Sequence, residues 1–181
     1  MFAFIKKFFL RKALEGNKHP RNVYITALQK ARSIGLLCDI TDEDSYKRIF
    51  SVFSKLQHAG RTVWLMGYIN DKEVPFYCLQ QLAADYFCNK DLNWYGKPEK
   101  VQIDDFMERE FDLLIDFTKQ PFPVIRYMLT LTQAHFIVGS AKENADLYDL
   151  YIEGENIYDH VTLLEQISLY TKQLTGGEEA L

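Results

Sequence analysis

Apolar positions along the chain change spacing several times, and each change marks an element. Residues 2–10 place Phe2, Ile5, Phe8 and Phe9 on one side of a helix, with Lys6, Lys7 and Arg11 toward another. Gly16 and Asn17 end that helix, and Pro20 predicts a second short helix to about residue 30. Ser33–Cys38 (SIGLLC) is an apolar run suited to a buried parallel strand. Asp42 then caps a helix striped by Tyr46, Ile49, Val52, Phe53 and Leu56, ended by His58-Ala-Gly60. Thr62–Tyr68 is the next strand, which completes a strand–helix–strand unit.

The middle is less regular. Leu79–Ala84 reads as a brief helical or irregular run, Tyr86–Cys88 as a short strand and Asn93–Pro98 as a loop. Regular spacing then resumes. A short helix is expected at Ile103–Arg109, a strand at Phe111–Phe117 and a helix at Pro121–Leu131. Strands follow at Ala134–Gly139 and Leu147–Ile152, the latter at an edge, with a terminal helix over Tyr158–Leu174. Strands interleaved with helices predict an α/β fold, a three-layer sandwich around a mainly parallel, doubly wound sheet. An extension from the irregular middle would make that sheet mixed. We divide the chain into a helical arm (1–32), one domain (33–175) and a frayed tail (176–181).

Charge sharpens this division. The first 32 residues hold eight basic side chains and only Glu15 as an acid, whereas the remainder is net −11. Bulk nucleic-acid binding is therefore disfavoured for the body. The arm is expected to touch a protein partner, or to lie against a membrane surface as an in-plane helix. Lys6 and Lys7 interrupt its apolar run, so it fits neither a signal peptide nor a spanning helix. Cys38, Cys78 and Cys88 are widely spaced and apolar in context, which predicts reduced, buried thiols and a cytoplasmic protein, with the inner-membrane periphery left open.

Chemistry-bearing patterns are sparse. LLCDIT (36–41) recurs as LLIDFT (113–118), and each Asp stands where an apolar strand becomes a loop. If these strands are neighbours at a doubly wound sheet's switch point, Asp39 and Asp116 come together with Thr41 and Thr118. Such a group would hold Mg²⁺ and a phosphate, or one Asp would act as a general base. The competing reading is local: Asp39 or Asp42 caps the first core helix and Thr118 the helix after the fourth strand. There is no G-x-G-x-x-G turn and no GxxxxGK[ST] loop. His19, His58, His135 and His160 lack metal-ligand spacing, and no GxSxG elbow accompanies a serine.

The segment from Lys90 to Pro98 is the second candidate. Lys90 and Lys97 would meet an anion, Trp94 and Tyr95 would stack on a ligand or partner, and Asn93 and Gly96 shape the turn. Alternatively Trp94 plugs the loop onto the sheet edge. Together IGLLCDIT, VPFYC, FCNKDLNWYGKP, FDLLIDF, HFIVG and YDLYI resemble an uncharacterised α/β family of Bacteroidota, a domain of unknown function. The resemblance covers about residues 20–173, with DLNWYGKP its most distinctive part. It implies a small, cytoplasmic, Rossmann-like protein and carries no established activity. The resulting expectation is a non-catalytic binding or interaction protein that contacts its partner through Phe2, Ile5, Lys6, Lys7, Phe9 and Arg11 and the 90–97 loop. The alternative is a small enzyme acting on a phosphorylated or nucleotide-like metabolite with a divalent metal. No cofactor is expected beyond Mg²⁺ under that alternative.

Overall fold

The computed structural model describes residues 2–17, 20–78, 81–154 and 159–176, the side chains of residues 2–4 and 17 excepted. Helix α1 spans Phe2–Asn17, followed by β1 (Ser33–Asp39), α2 (Glu43–His58), β2 (Thr62–Ile69) and β3 (Ala84–Cys88). The second half contains α3 (Val101–Glu108), β4 (Leu113–Asp116), α4 (Pro123–Leu131), β5 (Ile137–Gly139), β6 (Leu150–Tyr151) and α5 (His160–Leu174). All six strands are parallel, in the order β3-β2-β1-β4-β5-β6. The order reverses between β1 and β4, the strands that carry the recurrent aspartates. The irregular middle makes no antiparallel strand in this sheet; β3 pairs in parallel with β2.

Burial on both faces explains the apolar strands. Leu36 and Cys38 of β1 join Ile115 of β4 under α2 and α5, while Leu37 and Leu114 point into the opposite core under α3 and α4. In α2 the stripe Tyr46, Ile49, Val52, Phe53 and Leu56 is buried. Its start is closed by a capping box: Asp42 accepts the Ser45 N–H at 2.7 Å, and the Ser45 hydroxyl accepts the Asp42 N–H at 3.2 Å. Gly35 has no side chain because a Cβ there would lie 2.8 Å from both Phe111 and Leu114.

The segment from Pro20 forms no helix up to a turn at 28–30. Its polar groups are taken by the amino-terminal edge of the sheet. Arg21 donates to the Ala134 carbonyl (2.8 Å) and to both Asp149 oxygens, and Tyr24 N–H donates to the His135 carbonyl. Leu28 N–H reaches the Thr171 hydroxyl at 3.0 Å. Tertiary partners thus replace the i−4 carbonyls that a helix would offer. The expected run at Leu79–Ala84 begins on residues outside those described; Gln81 and Ala84 form an isolated bridge.

Helix α1 lies over α4, and its orientation differs from what the sequence suggests. Leu10, Ala13 and Leu14 pack on the α3–α4 core. Ile5, Phe8 and Phe9 face outward, 38%, 56% and 41% exposed. No helix among the described residues is long and apolar enough to cross a membrane.

Candidate functional site

The carboxyl ends of β1 and β4 lie side by side, yet Asp39 and Asp116 are not level. Leu37 pairs with Asp116, so Asp39 stands two residues further along its strand. At about 3.3 Å per residue this staggers the two by roughly 6–7 Å while keeping both on one face. Each carboxylate has its own protein partners. Asp39 Oδ1 accepts the Lys119 N–H at 2.9 Å, which ties β1 to the loop after β4; its Oδ2 is buried without a partner. Asp116 accepts the Thr118 N–H at 2.9 Å and the Tyr148 hydroxyl at 2.6 Å. Burial raises the Asp39 carboxyl above its ordinary value and pushes the fully enclosed Asp116 up to about 6. Among the described residues no group of three or more His, Cys, Asp or Glu is placed to hold a metal ion.

The two threonines serve separate loops. Thr41 is exposed and belongs to the α2 cap, its N–H donating to Ser45 Oγ at 3.0 Å. Thr118 does not cap α4: it is buried, and that helix starts after Phe122 with no side-chain cap and with Pro123 in its first turn. Tyr148 reaches Asp116 because Gly139, level with Asp116 in the sheet, has no side chain: a Cβ there would lie 2.4 Å from the tyrosine ring. We expect Gly139→Ala to swing Tyr148 away from Asp116 and cost about 1–3 kcal/mol. Loss of the hydroxyl donor also raises the Asp116 pKa further. Urea unfolding at pH 5 and 7 measures both effects, and an unchanged pH difference would show that the ring stays in place.

Beside this pair, at the same edge of the sheet, opens a cavity of about 930 Å³; two others measure about 350 and 290 Å³. Its floor includes Tyr68 at the end of β2, Phe122, Val124 and Tyr127 at the start of α4, and Asn144 after β5. One wall is the loop Leu92–Gly96, and the roof is α1 with Lys6, Lys7, Leu10, Arg11 and Leu14. Ring contacts join roof to wall: Phe9 meets Trp94 edge-on at 5.1 Å between centroids and Tyr95 at 6.1 Å. The two surfaces singled out from the sequence therefore bound one cavity.

The loop is shaped by Asn93 rather than by its aromatic rings. Asn93 Oδ1 accepts the N–H groups of Tyr95 and Lys97, its own N–H donates to the Lys97 carbonyl, and Gly96 takes φ 95°. Trp94 is left 56% exposed. Lys90 pairs with Glu73, and neither Lys90 nor Lys97 lines the cavity. Four cations do, namely Lys6, Lys7, Arg11 and Arg126, against one acid, Glu143. Arg126 is braced by both Asp146 oxygens and the Glu143 carbonyl. The Asn144 amide nitrogen is buried beside the Tyr148 hydroxyl, which it engages only weakly, without completing a hydrogen bond. The α4 contribution was not foreseen, although Pro121-Phe-Pro123, leading from the loop after β4 into α4, was a visible signal. The side chain of Phe2 lies outside the described residues.

His135 stacks on Tyr24 at 4.4 Å, and His58 Nδ1 lies 2.7 Å from the Ser54 carbonyl; both hold local structure. His160 is buried against Phe117, with neither ring nitrogen partnered. The three cysteines are free and buried.

Neither a curated protein nor a solved structure matches the chain. A family model does match, over residues 4–174, and so runs through the arm as well as the sheet. By that match the chain belongs to the family of unknown function DUF6913.

Proposed function

We propose that this is a non-catalytic, cytoplasmic binding protein whose small-molecule ligand occupies the cavity between α1 and the carboxyl edge of the sheet. The observation that carries the reading is the convergence of the cationic arm and the Trp94 loop on that one cavity. Its volume lies within the usual ligand-pocket range of about 300–1,000 Å³. The strand order is also that of Rossmann-like sheets, in which ligands bind outside the carboxyl ends where the order reverses. A metal-dependent reaction at Asp39 and Asp116 draws less support, because the two residues are staggered along the strands and each carboxylate is engaged by its own hydrogen bonds.

Thermal-shift screening of the full chain against a metabolite panel, repeated without residues 1–17, tests the reading. A ligand should raise the melting temperature of the full chain and do so much less for the truncation. Equal shifts in both proteins would place the ligand elsewhere.

The outward side chains Ile5, Phe8, Phe9 and Trp94 favour a second reading, in which a protein partner docks on the arm. Co-purification lost on the double change F8A/F9A, with folding retained, is its expected result. Sedimentation of the wild type with anionic vesicles would indicate peripheral membrane contact instead.

A further inference from the structure

We propose that the ligand of this cavity is a 5′-mononucleotide-like molecule, with its phosphate at the amino end of α4 under the arm lysines and its planar ring against the Trp94 loop. This rests on the cavity reading above and adds the chemical class.

The anion end is argued from three independent features. First, α4 opens into the cavity without a side-chain cap, so its first-turn N–H groups and positive dipole end have no side-chain acceptor. The starts of α2 and α5 differ in this respect, since Asp42 and Asp159 already supply a carboxylate to each. Consequently the turn after β1, where dinucleotide folds seat the pyrophosphate, is closed here, and α4 offers the open anion position. Second, Lys6 and Lys7 line the cavity from above, and neither forms an ion pair within the described residues. Third, Asn144 lines the same space at 1% exposure, and its amide nitrogen completes no hydrogen bond, engaging the neighbouring Tyr148 hydroxyl only weakly. A buried donor so weakly engaged gains on meeting a stronger acceptor oxygen.

The ring end follows from the opposite wall. Trp94 and Tyr95 line the cavity, and Phe122 and Tyr127 lie on its floor. A cationic pocket for a bare phosphate needs no such surface, whereas a nucleobase gains stacking contact from it. Arg126 is held by Asp146 and shapes the wall rather than adding a free charge.

Calorimetric titration of the full chain with the four 5′-mononucleotides, with their nucleosides, and with ribose 5-phosphate tests the assignment. At least one nucleotide should bind ten or more times more tightly than its nucleoside and than ribose 5-phosphate. Lys6→Glu with Lys7→Glu, both exposed positions, should weaken that nucleotide tenfold or more and leave its nucleoside unchanged. Trp94→Ala should weaken nucleotide and nucleoside together and spare ribose 5-phosphate. Asn144→Ala, checked for an unchanged melting temperature, should act on the phosphate-bearing probes alone. Equal affinity for nucleotide and nucleoside, or indifference to the lysine reversal, would overturn the phosphate assignment. If no nucleotide binds while another metabolite gives an arm-dependent thermal shift, the class is wrong and the cavity reading stands; if no metabolite does either, both fail.

Discussion

Trp64→Ala, at a partly buried position, is expected to destabilise the protein by about 2–4 kcal/mol, which at this size lowers the melting temperature by roughly 5–10 °C. The indole stands on β2 against Phe106 and Phe111, with ring centroids 5.6 and 6.5 Å away, and the Arg109 guanidinium lies 5.9 Å from its centroid. Its Nε1–H donates to Asp85 at 2.8 Å. Truncation leaves a gap between sheet and α3 and removes that donor. Trp94→Ala is the control. Its loop is held by Asn93 and Gly96, so the melting temperature should move by no more than a degree or two while ligand binding falls. Thermal unfolding of both variants checks the pair; equal losses would make Trp94 a structural plug and remove its recognition role.

A second expected result concerns pH, where two buried groups act in opposite directions. Asp116 is pushed up to about 6 by burial. Between about pH 4 and 6 the native state keeps a proton that the unfolded chain has lost, so stability falls as pH rises through that window. Two pKa units correspond to about 3 kcal/mol. His160 is pushed down to about 4, first by burial and then by Lys119 and Arg48. Below about pH 6.5 the unfolded chain takes up a proton that the native ring refuses, so stability falls by a similar ~3 kcal/mol as pH drops toward 4.

These slopes largely cancel in the shared window. Asp116→Asn should therefore unmask a stability loss on acidification from pH 6.5 to 4. His160→Leu, which removes no hydrogen bond made by the ring nitrogens, should unmask a gain over pH 6 to 4. Urea unfolding at half-unit pH steps gives the difference curves against wild type. Curves parallel to wild type in both variants would show that neither group titrates as its surroundings dictate.

Local pattern was enough to identify most core elements. Two-sided burial makes β1 and β4 read as uninterrupted apolar runs, and one-sided burial makes α2 a stripe, so element type is visible in the residues themselves. The strands that carry LLCDIT and LLIDFT lie side by side at the reversal, as the doubly wound reading required. Pairing register was invisible, because it depends on how two distant segments slide together, and a two-residue offset staggers aspartates that look equivalent in sequence. The segment from Pro20 shows the same limit, since its hydrogen-bond partners at Ala134, His135 and Thr171 lie more than a hundred residues away.

The site depended most on tertiary structure. The sequence alone marked a cationic helix and a Trp–Tyr loop as two separate surfaces. It could not tell that Leu10, Ala13 and Leu14, rather than Phe8 and Phe9, would pack on the α3–α4 core, because the surface they meet is built from segments a hundred residues away. That choice turns Lys6, Lys7 and Arg11 over the open end of α4 and sets Phe9 against Trp94. Residue types and local periodicity thus determined the elements and their layered class, while the strand order came from the tertiary structure. The cavity was decided only by packing among segments that share no motif, because enclosure depends on which faces meet.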